Sequence, residues 1–331
     1  MLSRICPSTL NRQLVFALVF LAGLVALDRS IGLVLRSAYE RISTGDAGGQ
    51  INAAVQHKDA DVLVFGSSLA RYHVDTRVVS KSLDRQCFNA GCDGQDIYYA
   101  RMLQSLLFSR GCESKHIVYV LDWSDLYRDD LARAKMFAIF FDEDPIVRDM
   151  LVNSGPFERL KLQSHAYRFN SVAVSIFRHL IAPKGEGIDG YVPVDAEYFS
   201  SAKQTLEMTQ HAMAAVTAED RAIMAEKLDI YADFIRAARG LDIQVVFAVG
   251  PTFRDGVEMG PKESLAYEAF QHVAEQQDAL FLRLDASAVP ELADRKYFRD
   301  RRHLNSDGAD LFTRRLVEAI RSFDSRTTTS Q

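Results

Sequence analysis

The chain of 331 residues has no block of Lys and Arg, and its formal net charge of -5 leaves no basic surface with which to neutralise phosphates. That excludes nucleic acid as a partner. No glycine-rich phosphate loop is present. Neither are there close histidine pairs: His57, His165, His179, His211 and His272 stand far apart, so no metal site and no cofactor is expected. Cysteine is scarce. Of the four, Cys87, Cys92 and Cys112 fall in the body, where an oxidising compartment permits one pair that the sequence does not choose. Cys6 precedes the first apolar run and is not placed like a lipidated cysteine at a cleavage site. No internal repeat appears, and the polar end, residues 326–331, reads as a disordered tail. What remains is a globular composition, 48% hydrophobic and 25% charged, with room for a full core.

One segment departs from that composition. Leu14 to Leu27 is uncharged and apolar, and the run resumes at Ile31 after Asp28 and Arg29. Leu10 to Leu35 reaches the roughly 20 residues of a spanning helix if Asn11, Arg12 and the Asp28–Arg29 pair sit at headgroups. Arg4 and Arg12 precede it as in a secretory signal, but no A-x-A-like site comes close behind it, so an uncleaved anchor over residues 1–38 is expected. The alternative is a buried core helix. A single N-terminal anchor most often exports the rest of its chain, which places the body on the periplasmic or extracytoplasmic side of the inner membrane, although Arg29, Arg36 and Arg41 weaken the charge asymmetry.

Residues 39–60 are polar, contain Gly45, Gly48 and Gly49, and read as a linker. On that reading the anchor projects freely, and a chain beginning near Gln50 still folds. From Asp61 strands and helices alternate. Apolar strands begin near Asp61, Gln86, His116, Asp242 and Leu280, and the last helix runs from about Asp307 to Phe323. Continuous apolar strands with helical crossovers predict an α/β fold, a three-layer parallel sheet covered on both faces. It occupies residues 61–125 and 216–325. Residues 126–215 break the rhythm and read as a mostly helical insertion. Thr217 and Asp220 offer a capping box for the next helix.

Two motifs carry chemistry. Gly66-Ser67-Ser68 ends the first strand, and Asp300-x-x-His303 precedes the last helix. A serine, a histidine and a carboxylate supply a nucleophile, its base and the group that fixes the imidazole tautomer. Ser67 is the competing nucleophile. In an open parallel sheet, ligand sites lie beyond the carboxyl ends of the strands, where Asn89-Ala90-Gly91 and Asp122 to Asp125 also emerge.

These blocks resemble those of the SGNH/GDSL hydrolase superfamily over Asp61 to Phe323, apart from the insertion. Gly66-Ser67-Ser68-Leu69 matches the Gly-Asp-Ser-Leu block, with Ser67 in place of aspartate and Ser68 as the implied nucleophile. Asn89-Ala90-Gly91 matches the second block, and Asp300-Arg301-Arg302-His303 the last. The resemblance implies an oxyanion hole formed by the N–H groups of Ser68 and Gly91. The usual asparagine donor of the third block falls on Ser124, within Asp122-Trp123-Ser124-Asp125. By analogy with flavodoxin-like sheets the strand order is 2-1-3-4-5. The Gly-Ser-Ser variant, the anchor and the insertion together look like membrane-anchored members linked to envelope or exopolysaccharide O-acylation. The implied activity is that of a serine esterase or O-acyltransferase on acyl, above all acetyl, esters of extracytoplasmic glycans. A membrane-embedded acyltransferase is the implied partner. Ser67, Arg71, Asn89 and Trp123 are candidates to line the substrate. The rival is a catalytically weak binding or scaffold subunit of a polysaccharide-modification or export complex, motivated by the substitution at Ser124.

Overall fold

The computed structural model describes residues 7–43, 48–182 and 187–329. Arg4, Cys6, Gly45 with its linker neighbours, and part of the Gly/Pro stretch at 183–186 lie outside the described residues. Helix α1 (Pro7–Tyr39) is long and apolar enough over Asn11–Tyr39 to cross a membrane. Its large apolar side chains from Leu14 to Val34 are exposed.

The end of α1 is not free, however. Asp28 accepts hydrogen bonds from Ser164 Oγ (2.5 Å) and from the N–H groups of His165 (2.8 Å) and Ala166 (3.1 Å). Gly32 packs so closely that a Cβ there would meet His165 Cβ at 2.5 Å. Arg36 pairs with Glu143 at 2.7 Å, and buried Tyr39 donates its hydroxyl to Gly48 O at 2.8 Å. The expected linker is therefore corrected. Helix α2 (Gly49–Gln56) buries Ile51, Ala53 and Ala54 in the core, and Asn52 Nδ2 donates to Tyr39 O (2.7 Å) and Ile42 O (2.9 Å). A short apolar face inside a polar-looking stretch sufficed to dock it.

Strand β1 (Val62–Gly66) leads into α3 (Ser68–His73) and α4 (Thr76–Leu83), which Asp75 caps by accepting from Arg77 N–H. Strand β2 (Cys87–Asn89), α5 (Ile97–Ser109) and β3 (His116–Leu121) come next. The inserted region holds 3₁₀ turns at Leu131–Phe140, then α6 (Pro145–Val152), α7 (Glu158–Lys161), α8 (Ala173–Ile181) and α9 (Ala202–Met213). Helix α10 (Ala218–Arg239) opens on the expected capping box, with Thr217 and Asp220 bonding reciprocally. Then come β4 (Gln244–Val249), α11 (Pro261–Gln276), β5 (Leu280–Arg283) and α12 (Ser306–Thr329). Because α12 runs to Thr329, residues 326–329 continue a helix and are not a tail; the last two residues lie outside the described residues.

The five strands form one parallel sheet of order β2-β1-β3-β4-β5. Side chains alternate between its faces. Val62, Val64, Val118, Val120 and Val246 pack with Phe312, Leu316 and Ile320 of α12. Leu63, Phe65, Ile117, Tyr119 and Phe247 pack with residues of α5, α10 and α11. Burying each such side chain stabilises by about 1.5–3 kcal/mol, which is why strands apolar on both faces settle between two helical layers. The sheet also keeps the cysteines apart: Cys87 packs among the valines on one side, and Cys92, beyond the end of β2, packs in the aromatic cluster on the other. Those two and Cys112 are free thiols, so the permitted pair does not form among the described residues.

Candidate active site

At the carboxyl end of β1 the chain turns through Gly66, whose φ of 138° and whose clearance from Val120 O (2.6 Å to an added Cβ) admit only glycine. Ser67 is the N-cap of α3, accepting from Leu69 N–H at 3.3 Å, which places Ser68 at the first helical position. Its N–H belongs to the first turn, where backbone donors have no partner within the helix.

Ser68 Oγ lies 2.8 Å from His303 Nε2. On the other side of the ring, His303 Nδ1 is 2.9 Å from Asp300 Oδ2 and 3.0 Å from Oδ1. Asp300 Oδ1 also accepts the N–H of Arg302 (2.8 Å) and of His303 (3.0 Å), so one carboxylate closes the loop and orients the ring. Half-burial works against its charge, but the hydrogen bond and charge of His303 and the two backbone donors prevail and hold Asp300 below the ordinary carboxylate range. With Nδ1–H held by Asp300, Nε2 presents its lone pair to the serine hydroxyl. The arrangement can take a proton from Ser68 Oγ and stabilise the resulting imidazolium.

The donors expected beside it are engaged elsewhere. Gly91 N–H donates to Asn89 Oδ1 at 3.0 Å. Ser124 gives both its N–H (3.0 Å) and its hydroxyl (2.9 Å) to Asp122 Oδ1. The reason is local: Asn and Asp side chains compete for the backbone two residues on. Of the three expected oxyanion donors, only the Ser68 N–H is left uncommitted among the described residues.

The four expected lining residues lie below the surface. Ser67, Arg71, Asn89 and Trp123 are all buried. Asn89 Nδ2 donates to Ala70 O (2.7 Å) and Val74 O (3.1 Å), tying β2 to α3. Arg71 Nη1 lies 3.6 Å from Asp93. Trp123 stacks on His211 of α9 with ring centroids 5.3 Å apart.

Other residues take the places around the histidine. Tyr72 meets the His303 ring edge-on at 5.6 Å, and its hydroxyl donates to Asp93 at 2.6 Å; burial and that carboxylate push it up to about 12. The Arg299 guanidinium covers the Tyr72 ring at 4.4 Å. Arg302 binds Asp122 and lies 3.5 Å from Ser124 Oγ, joining the loop of His303 to the end of β3. His73 is fully buried, and burial drives its pKa well below the usual histidine value; its neutral Nε2 accepts Leu304 N–H at 3.1 Å. It thus fixes the residue next to His303. An extended strap from the inserted region completes the rim, with Asn89 N–H donating to Asp189 O, Val192 N–H to Arg71 O and Phe199 N–H to Arg299 O. The strap lacks periodicity, and it is marked by the positive φ of Gly187, Asp189 and Gly190. Beside Asp300 and His303, Ser200, Glu207 and Met208 enclose a cavity of about 200 Å³.

No protein-family model matches the chain, and no curated protein matches it in sequence. Among solved structures, the chain is similar to one described as an acetyl xylan esterase, with a TM-score of 0.40 and 12% identity, over 78% of this chain and 99% of that one.

Proposed function

We propose that this chain is a serine esterase or O-acyltransferase that works through an acyl-Ser68 intermediate. The observation that carries this reading is the continuous line Ser68 Oγ, His303 Nε2, His303 Nδ1, Asp300. Ser68 Oγ attacks the ester carbonyl while His303 takes its proton, and Asp300 holds the imidazolium. The oxyanion forms against the Ser68 N–H. His303 then returns the proton to the leaving alkoxide, and the acyl group passes to water or to a sugar hydroxyl. We assign as substrates acetyl esters of glycans outside the cytoplasm, with α1 as a single-pass anchor in the inner membrane. The transferase branch calls for a membrane-embedded acyltransferase to supply acyl groups.

A scaffold reading draws on one observation, the commitment of Gly91 and Ser124 to Asn89 and Asp122. Removing one oxyanion donor costs about 10²–10³ in rate, so a site left with one donor is slow but not inert. Turnover of an aryl acetate, lost in Ser68→Ala, together with a serine-directed phosphonate adduct on Ser68, supports the enzyme. No adduct, and turnover equal to that of Ser68→Ala, leaves the scaffold.

A further inference from the structure

Helix α8 carries an apolar face that the protein leaves uncovered. Val174, Phe177, Leu180 and Ile181 are 76%, 59%, 52% and 85% exposed, while Ile176 is buried in the core. Val174, Phe177 and Ile181 fall three and four residues apart, on one side of the helix. Phe157, the N-cap of α7, and Leu160 within it are 77% and 72% exposed. Phe157 is held outward at a φ of 61°, a conformation bulky side chains avoid. Soluble surfaces rarely gather apolar side chains in this way without something to cover them.

What covers them is indicated by α1. Helix α8 packs directly against α1, and so does the turn at Tyr167–Phe169. The exposed apolar surface of α1 continues past Asp28 to Leu33 and Val34, 70% and 69% exposed. At about 1.5 Å per residue, Leu14 to Val34 measures about 30 Å, the thickness of a bilayer's hydrocarbon core. With Val34 at one boundary, Asp28 lies about 9 Å below it. A carboxylate at that depth needs partners, and it has three, all donated by residues 164–166 of the inserted region. That part of the body therefore reaches the depth of about 5–10 Å at which interfacial helices lie. Arg159 and Arg178, both exposed, border the apolar residues, where long basic side chains can reach up to the headgroups.

We propose that the α7–α8 face is a membrane-interface surface, seated at the headgroup–acyl boundary of the bilayer that α1 crosses. The proposal rests on α1 being a span. Trp123 is the chain's only tryptophan and is buried, so the wild type supplies a constant background emission, which is subtracted from that of each single replacement. The test reconstitutes the full chain in phosphatidylcholine–phosphatidylglycerol vesicles with brominated acyl chains, carrying L18W, F177W, I181W or L241W in turn. Leu241 is 50% exposed just beyond α10 and serves as the apolar control outside the face. F177W and I181W should lose emission to bromine within about a factor of two of L18W, since they sit at acyl-chain depth. L241W should match the wild type. If L18W is quenched while F177W and I181W behave like L241W, the surface is overturned and the anchor stands. If L18W is not quenched, both fall.

Discussion

Replacing Asp300 with asparagine tests the relay at its most constrained point. The carboxylate accepts from two backbone N–H groups, from His303 Nδ1–H and, at 3.3 Å, from Arg299 Nε. An amide of the same shape has one acceptor oxygen. If that oxygen keeps the two backbone donors, the amide NH₂ faces Nδ1 and Arg299. Nδ1 must then accept, which moves the ring proton to Nε2 and directs an N–H at Ser68 Oγ. The base is lost although the geometry survives. A tautomer error of this kind costs about 10⁴ in rate, or about 5.4 kcal/mol of transition-state stabilisation. Stability should fall by no more than about 1 kcal/mol from the Arg299 pair, which is partly exposed. The assay is kcat/KM on an aryl acetate, with folding checked by urea titration. If Asp300→Asn turns over within tenfold of the wild type while Ser68→Ala is inactive, Asp300 does not set the tautomer.

Further outcomes rest on the same contacts. The folded pKa of Asp300 lies below its unfolded value of about 3.9, so its contribution to stability is full above about pH 4 and is lost as the pH falls through the folded value; the stability gap between wild type and Asp300→Asn should hold from neutral pH to about 4 and shrink below it in acid titrations. Gly66→Ala should cost at least about 1–3 kcal/mol of backbone strain, seen as a lower urea midpoint, since φ is 138° and Val120 O blocks a Cβ. His73→Leu should strand Leu304 N–H in the core, costing about 1–3 kcal/mol, and should lower kcat more than it raises KM because the loop bearing His303 loosens. A chain beginning at Gln50 loses buried Tyr39 and Ile42 and should be less stable than one beginning at Leu35 by about 3–6 kcal/mol; equal thermal midpoints would refute the docking of α1 on α2.

The sheet was legible because VLVFG, HIVYVL and QVVFAV are apolar on both faces, a pattern only a doubly covered parallel strand requires. Its order came from resemblance to flavodoxin-like sheets, since the strands themselves do not encode their neighbours. The meeting of Ser68, His303 and Asp300 was legible because strand ends and the final helix fix where those loops point. What was not legible is where the expected oxyanion donors of Gly91 and Ser124 go: the side chains of Asn89 and Asp122, two residues back, claim them first. Composition does not reveal which acceptor wins. The linker misled for a similar reason: one turn carrying Ile51 and Ala54 is too short to show a period, and its burial depends on Tyr39 and Ile42 arriving from another helix.

The junction of α1 with the body governs reach. A flexible tether of 22 residues would let a catalytic domain wander over roughly 26 Å root-mean-square, sampling substrates at many heights. Here Asp28, Arg36 and Tyr39 join helix and body as one rigid piece. With α1 held upright, such a body can spin about the membrane normal and drift in the plane, but Ser68 keeps a single altitude. On the proposed function, selection by altitude would act before any contact with the serine, in favour of acyl esters carried past at that level.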